Sequence, residues 1–215
     1  MITIGLTGSI GMGKSTAAAM LRRLGPVMFD ADAEVHRLLG AGGAAVAAVE
    51  REFPGVRGEN GGIDRRLLGA RVFGQPEALR RLERILHPIV RAAELRFVAR
   101  GRARQLPLIV LDIPLLFETR ADVLCDAILV VSAPAWLQRQ RVLRRPGMSP
   151  ARLASIVRAQ MPDREKRRNA DFVVKTGLGR GVTLRHLAGA LRILRRGDWR
   201  RRPELRRALL ARRGG

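Results

Sequence analysis

One stretch near the start of the chain constrains the fold more than any other. Residues 8–16 read Gly-Ser-Ile-Gly-Met-Gly-Lys-Ser-Thr, which fits the spacing G-x-x-x-x-G-K-[ST] with Gly8 first and Gly13 before the lysine. Glycines let the backbone wrap closely around a phosphate chain, so that successive N–H groups and the start of the next helix point at it. The stretch therefore predicts a strand, a phosphate-binding loop and a helix, in that order.

The flanking residues support this interpretation over a simple glycine-rich turn. Ile2, Ile4 and Leu6 alternate before the loop, as in a strand. Apolar residues follow at helical spacing, at Ala17, Met20, Leu21 and Leu24. Within the loop, Lys14 is expected to reach the β- and γ-phosphates of a nucleoside triphosphate, and the Ser15 hydroxyl to bind a Mg²⁺ ion that bridges them.

The composition is that of a globular protein. The chain has 215 residues, 47% of them hydrophobic, and no apolar run of the 18 or more residues that a membrane helix needs. Its beginning lacks a basic lead followed by an apolar run, so we expect a cytoplasmic protein. Cys125 is the one cysteine, which excludes an internal disulfide and fits a reducing compartment.

The formal net charge of +22 is the strongest compositional signal. It is compatible with nucleic acid, an anionic membrane or phosphorylated small molecules as partners. Aromatic residues make up 4% and tyrosine is absent, so stacking platforms for nucleic acid are scarce. We therefore expect small-molecule substrates, no specific nucleic acid beyond weak salt-dependent binding, and no membrane partner. The sequence leaves the oligomeric state open, and a monomer is compatible with it.

The coarse pattern is that of an α/β fold with a parallel five-stranded sheet flanked by helices. The predicted strands are the run before the loop and the segments 27–29, 108–111, 125–131 and 170–174. Between the second and third strands, residues 33–104 read as helical pieces separated by Gly and Pro. This insertion is too long for a simple crossover and predicts a binding region for a second ligand.

Within the insertion we predict helices over 44–53, 65–73, 76–86 and 88–101, with Asp64 capping the second. His87 and Pro88 stand at the start of the fourth. This pair is either a ligand contact or simply a helix start.

Two predicted strands end in carboxylates. Asp30 and Asp32 follow the second strand and Asp112 closes the third. Ligands of parallel sheets gather at the carboxyl ends of strands, so these groups are expected to face the phosphate-loop crevice. There Asp32 can accept a proton from an attacking hydroxyl or hold the water shell of a metal, and the alternative is that it caps the next helix. Asp112 resembles the metal-side carboxylate of phosphate-loop enzymes, or it caps a turn.

A basic pair of helices follows the fourth strand. The first begins near Pro134 and carries several arginines, and a Pro-Gly turn joins it to a second, from Ser149 to about Met161. Such a pair is typical of a lid that closes over transferred phosphate. Arg141 and Arg145 are expected on one side of the helix and are the candidates for phosphate contacts; the alternative is a solvated basic face.

Taken together, the motifs resemble the dephospho-CoA kinase family, over about Ile2 to Gly177. The resemblance rests on these residues: Gly5-Leu6-Thr7-Gly8-Ser9-Ile10-Gly11-Met12-Gly13-Lys14-Ser15-Thr16, Asp30-Ala31-Asp32, Leu86-His87-Pro88, Asp112-Ile113-Pro114-Leu115-Leu116-Phe117-Glu118, Gln138 with Arg141 and Arg145, and Gln160 followed by Ala170-Asp171.

The resemblance implies phosphorylation of the ribose 3′-hydroxyl of dephospho-CoA by ATP with Mg²⁺. It implies a nucleotide-binding core (1–32, 105–137 and 166–195), a helical acceptor-binding insertion (33–104) and a lid (138–165). Asp32, Lys14 and Arg141 would be catalytic, as base or orienter, phosphate cation and lid cation. The residues implied to bind ATP are Gly11, Met12, Gly13, Lys14, Ser15, Thr16 and Arg145, with Ser15 also at the metal. Those implied to bind the acceptor are Asp30, His87, Asp112, Pro114 and Leu115.

Two stretches depart from the family pattern. Lys175-Thr176-Gly177 stand where the family often has an asparagine after the last core strand, and the basic tail 196–215 matches no family motif. Two other functions remain possible from the residues alone. One is a different small phosphate-loop kinase, and the other is a nucleic-acid-binding NTPase.

Overall fold

The computed structural model describes residues 1–196, so almost all of the predicted basic tail lies outside the described residues. No helix in this described part is long and apolar enough to cross a membrane. The elements in chain order are β1 (Ile2–Thr7), α1 (Lys14–Arg23), β2 (Val27–Asp30), α2 (Ala31–Leu39), α3 (Val46–Glu52), α4 (Arg65–Val72), α5 (Pro76–Ala103), β3 (Leu108–Asp112), a 3₁₀ turn (Ala121–Leu124), β4 (Ala127–Ser132), α6 (Ala135–Leu143), α7 (Pro150–Ala159), α8 (Asp163–Arg168), β5 (Phe172–Lys175) and α9 (Arg180–Arg195).

The predicted five-stranded sheet is confirmed, with the order β2-β3-β1-β4-β5. β1 pairs in parallel with β3 and with β4, and β4 pairs in parallel with β5. The chain thus leaves β1 toward one side of the sheet and later passes to β4 on the other. A crevice forms at the carboxyl ends of strands where such connections diverge, and the phosphate-binding loop begins there.

The central strands are buried on both faces. Every residue of β3 and of β4 is buried, and in β1 only Ile2 is partly exposed. This agrees with their continuous apolar sequences, which suit parallel strands covered by helices. Cys125 is buried just before β4 rather than within it, where its thiol donates to the carbonyl of Ala121 over 3.6 Å.

The described chain divides into two compact units, one of residues 1–29 with the residues from Arg100 on, and one of Asp30–Ala99. The second unit is helical and has its own apolar core. Asp64 caps α4 as predicted, because its carboxylate accepts from the N–H groups of Arg66 and Leu67. The functional division into core, insertion and lid stays a prediction.

One helix prediction in the insertion is wrong. α5 runs from Pro76 to Ala103 without a break, and Pro88 lies inside it instead of starting a new helix. Proline removes one N–H from the helical ladder and crowds the carbonyl four residues before it, at Arg84. Strong helix formers on both sides of Pro88 favour a continuous helix despite the missing hydrogen bond. His87 is therefore an exposed residue in mid-helix.

Glu94, in the second unit, is a buried carboxylate whose environment makes a pH-dependent prediction. It is 4% exposed, with Arg91 Nη1 3.1 Å from its Oε2. Burial raises the pKa of Glu94, and Arg91 offsets this only in part. The folded state thus holds the Glu94 proton more tightly than the unfolded state, so this contribution to stability is present at low pH and is lost as the pH rises through the folded-state pKa.

Glu94→Gln should therefore be more stable than the parent at pH 8, by roughly 1 kcal/mol, or about 2–4 °C in Tm. The difference should narrow as the pH falls toward 4.5, because Glu94 becomes neutral in the parent. Thermal unfolding of both proteins between pH 4.5 and 8 measures this. A difference that does not vary with pH would contradict the prediction.

Candidate phosphate site

The loop between β1 and α1 has room only for glycine at several positions. Gly11 and Gly13 have φ angles of +75° and +89°, which L side chains rarely adopt. A Cβ on Gly8 would lie 2.3 Å from the side chain of Val131, and one on Gly11 would lie 2.5 Å from that of Val142. The loop is therefore packed closely against β4 and α6, as a wrapped phosphate-binding backbone requires.

Three successive carbonyls of the loop are bound from outside by side chains. Gln138 donates to the carbonyl of Ile10 over 2.8 Å. Arg141 donates to that of Gly11 over 3.4 Å. The hydroxyl of Thr176 donates to that of Met12 over 2.6 Å. The donors come from α6 and from the residue after β5.

These contacts orient the amides of the loop. In a planar trans peptide, the carbonyl of one residue and the N–H of the next point in opposite directions. Carbonyls of Ile10 and Met12 held outward thus turn the N–H groups of Gly11 and Gly13 toward the other side of the loop. Inward N–H groups at the start of a helix form an anion site, so the loop is shaped to bind phosphate.

Lys14 begins α1 and forms an ion pair with Asp112 at the end of β3. The distance from Nζ to Oδ1 is 2.8 Å, and the two side chains are 15% and 4% exposed. Asp112 therefore lies beside the end of the phosphate loop, as predicted. Ser15 and Thr16 are exposed in the first turn of α1. An exposed serine hydroxyl at this position is a hard oxygen donor of the kind Mg²⁺ takes, so the residues fit a metal that also binds phosphates.

The carboxylates after β2 have distinct local roles. Asp30 is the N-cap of α2, because its Oδ1 accepts from the N–H of Ala33 over 3.0 Å. Asp32 lies inside the first turn of α2 and is exposed. The alternative in which Asp32 caps this helix is wrong, since the helix starts two residues earlier than expected and Asp30 provides the cap.

The segment after Asp112 is held in place by two side chains from other elements. The carbonyl of Pro114 accepts from the hydroxyl of Thr7 over 2.9 Å and from Lys166 over 3.4 Å. Lys166 is fully buried and its Nζ lies 2.9 Å from Oε1 of Glu118. Pro114 and Leu115 are half-buried. Lys166 was not predicted from the sequence, because only the fold places it beside Glu118.

The two predicted lid arginines are not equivalent. Arg141 lies on α6 and donates to Gly11 and, from Nη2, to the carbonyl of Thr176 over 2.8 Å. α6 ends at Leu143, so Arg145 lies past the helix and is exposed. The expectation that both share one side of a helix is wrong, because the approach to Pro146 ends the helix.

Two further residues of the site come from sequence segments that carried no clear signal. Thr176 lies in the stretch that stands where the family often has an asparagine. It is 7% exposed, and its hydroxyl donates to the carbonyl of Met12 in the loop. Asp163 begins α8, a helix that was not predicted, and its Oδ2 accepts from the hydroxyl of Ser132 over 2.9 Å. Asp171, by contrast, has a structural role, because it exchanges two hydrogen bonds with the backbone of Ile128.

Comparison with known proteins gives a consistent result. A family model described as dephospho-CoA kinase matches residues 2–178. A dephospho-CoA kinase of Rhodospirillum rubrum is 59% identical over 203 residues, which is 92% of this chain and 95% of the relative. One from Rhizobium meliloti is 51% identical over 92% of this chain and all of the relative.

Solved structures agree. A protein of Thermus thermophilus superposes with a TM-score of 0.75 at 38% identity, covering 88% of this chain and 95% of that one. A dephospho-CoA kinase from Campylobacter jejuni superposes with a TM-score of 0.71 at 25% identity, covering 92% and 98%.

Proposed function

The chain belongs to the dephospho-CoA kinase family, and on that premise we propose how its own residues transfer the γ-phosphoryl group of ATP to the ribose 3′-hydroxyl of dephospho-CoA. The products are ADP and coenzyme A, so the reaction is the last step of coenzyme A biosynthesis. The 3′-oxygen bonds to the γ-phosphorus, the bond from that phosphorus to the β–γ bridging oxygen breaks, and the hydroxyl proton leaves to a base.

The phosphate loop is the donor half of the proposal. The observation that carries it is the pair of outward carbonyls at Ile10 and Met12, which turns the N–H groups of Gly11 and Gly13 toward the side of the loop where a phosphate would bind. Lys14 would leave or share Asp112 to bind the β- and γ-phosphates. Ser15 would help to hold Mg²⁺, which would supply positive charge to offset that of the phosphates.

The remaining catalytic roles rest on the motifs. Asp32 would accept or orient the proton of the 3′-hydroxyl, and its exposure in the first turn of α2 leaves it accessible to a substrate. Arg141 would add positive charge beside the loop, through its place at Gly11. Thr16 and Arg145 would contact the nucleotide. The residues proposed for the acceptor are Asp30, His87, Asp112, Pro114 and Leu115.

We further propose the cytoplasm as the location, because a single cysteine suits a reducing compartment and the co-substrate is ATP.

The test is ADP release, measured by an enzyme-coupled assay over a panel of acceptors that includes dephospho-CoA, nucleoside monophosphates and no acceptor. We expect turnover with dephospho-CoA that depends on Mg²⁺, and only background rates otherwise. Activity on a nucleoside monophosphate with dephospho-CoA inert would overturn the proposal. A salt-sensitive ATPase activity stimulated by DNA or RNA would instead favour the nucleic-acid-binding alternative.

A further inference from the structure

Both backbone polar groups of Ile10, in the phosphate loop, are bound by glutamine side chains. The carbonyl accepts from Nε2 of Gln138 over 2.8 Å, and the N–H donates to Oε1 of Gln160 over 3.0 Å. Ile10 and the two glutamines are half-buried. Each amide has one orientation that satisfies its partner, because a carbonyl needs a donor and an N–H needs an acceptor.

The two glutamines lie at opposite ends of the arginine-bearing helical segment. Gln138 is on α6, where the chain enters the segment, and Gln160 is the C-cap of α7, where the chain leaves it. The residue after Gln160 is also held, because the N–H of Met161 donates to Glu118 over 2.8 Å. Both ends of residues 138–160 are thus fastened to one residue of the loop.

We propose that Gln138 and Gln160 are positioning residues that clamp Ile10 from both sides, and so hold the phosphate loop in its binding shape while joining it to both ends of the helical segment. This inference rests on the assignment of Gly8–Ser15 as the phosphate-binding loop. The glutamines contact neither phosphate nor acceptor in the proposal and act through the backbone of Ile10.

The expected consequence is on the chemical step. Phosphoryl transfer depends on positioning and on dipoles oriented before the reaction. With the Ile10 peptides fixed, the N–H of Gly11 keeps its direction when a nucleotide binds and no ordering is needed. A loosened loop still has Lys14 and its glycines, so it should bind ATP but stabilise the transition state less well.

The test makes the same two substitutions, methionine and glutamate, at each glutamine. The clamp predicts that glutamate is the more harmful of the two at position 138 and the less harmful at position 160. Methionine removes both amide groups at nearly the same length. Glutamate keeps an acceptor but has no donor. We expect Gln138→Met and Gln160→Met each to lower kcat by about 5- to 10-fold, the effect of one lost hydrogen bond.

The two glutamate variants should differ in kcat. Gln138→Glu places a carboxylate against the carbonyl of Ile10 and should lower kcat by about 100-fold, more than methionine does. Gln160→Glu can still accept from the N–H of Ile10 and should stay within about 3-fold of the parent, better than methionine. Gln140→Glu adds the same charge on an exposed position of α6 and measures the effect of charge alone.

The double variant Gln138→Met with Gln160→Met tests the shared target. Because both glutamines act on one residue, the combined loss should be about 10- to 20-fold, well short of the product of the single effects. The KM values for ATP and dephospho-CoA should change by less than about 3-fold, and Tm by less than about 2 °C, since each glutamine is partly exposed.

Several results would overturn the inference. The first is that the glutamate and methionine variants rank in the same order of kcat at both positions. The second is that the two losses of kcat multiply in the double variant. The third is that kcat falls in proportion to Tm across the variants. Turnover of dephospho-CoA by the parent is the reference throughout. An inactive parent would mean that the proposed function has failed, whereas an active parent with variants of equal rate would mean that the clamp has failed.

Discussion

Replacing Asp32 with asparagine should lower kcat by about 10²- to 10⁴-fold, the usual contribution of a positioned general base. Asparagine keeps the shape of the side chain but cannot take the proton of the 3′-hydroxyl. The KM for ATP should change little, because the interaction is made in the transition state and not with the bound nucleotide. Steady-state kinetics with dephospho-CoA at saturating ATP measure both quantities.

A matched control lies on the same helix. Glu34→Gln removes the same charge from the first turn of α2, where Glu34 pairs with Arg37. The Arg37 partner is 63% exposed, so solvent screens the pair and it contributes little; Glu34→Gln should keep kcat within about 2-fold. Because Asp30 and not Asp32 caps α2, the Asp32 variant should also keep its helix. Equal rates for Asp32→Asn and the parent would remove Asp32 from the mechanism.

Lys14→Met should lower kcat/KM by about 10³-fold, the upper range for losing one electrostatic contact to a transition state. It should also abolish most of the rise in Tm that ATP gives the parent, since that rise depends on binding to the folded state. The physical reason is that Lys14 is the cation placed at the start of α1, within 2.8 Å of Asp112.

The same change has a structural cost that must be separated from the loss of phosphate contacts. Asp112 is 4% exposed and would be left without the Lys14 ammonium, a loss on the order of 3–5 kcal/mol for a buried pair. The double variant Lys14→Met with Asp112→Asn removes this cost and should regain Tm but not the response to ATP. Lys175→Met, at an exposed lysine, is the matched control. A parental Tm response to ATP in Lys14→Met would contradict the assignment.

Much of the fold could be predicted because its signals are local. The glycines of the phosphate loop, the apolar runs of β3 and β4, and the Asp64 cap each depend on a few adjacent residues. Boundaries shifted where several residues could start or stop an element. Asp30 and Asp32 are equally good N-cap residue types, and α2 begins at Ala31 because Asp30 provides the cap.

Other features depend on residues far apart in the chain. The hydroxyl of Thr176 donates to the carbonyl of Met12, 164 positions away, and the side chain of Gln160 accepts from the N–H of Ile10, 150 positions away. A threonine after a strand has many possible partners, so composition and spacing do not single it out. Lys166 is similar, since a lysine in a basic helix is usually exposed and only the fold buries it beside Glu118. The continuity of α5 through Pro88 depends on a balance that a local rule does not decide.

The outward carbonyls of the loop have a consequence for how the family can vary. A backbone carbonyl is the same acceptor whatever side chain its residue carries, so the side chain at Ile10 can change without removing the contact to Gln138. The donor has no such freedom, because only a side chain of suitable length with an N–H or O–H can reach that carbonyl. The backbone shape of the loop therefore depends on side chains outside the glycine motif, at positions more than 120 residues away in the chain.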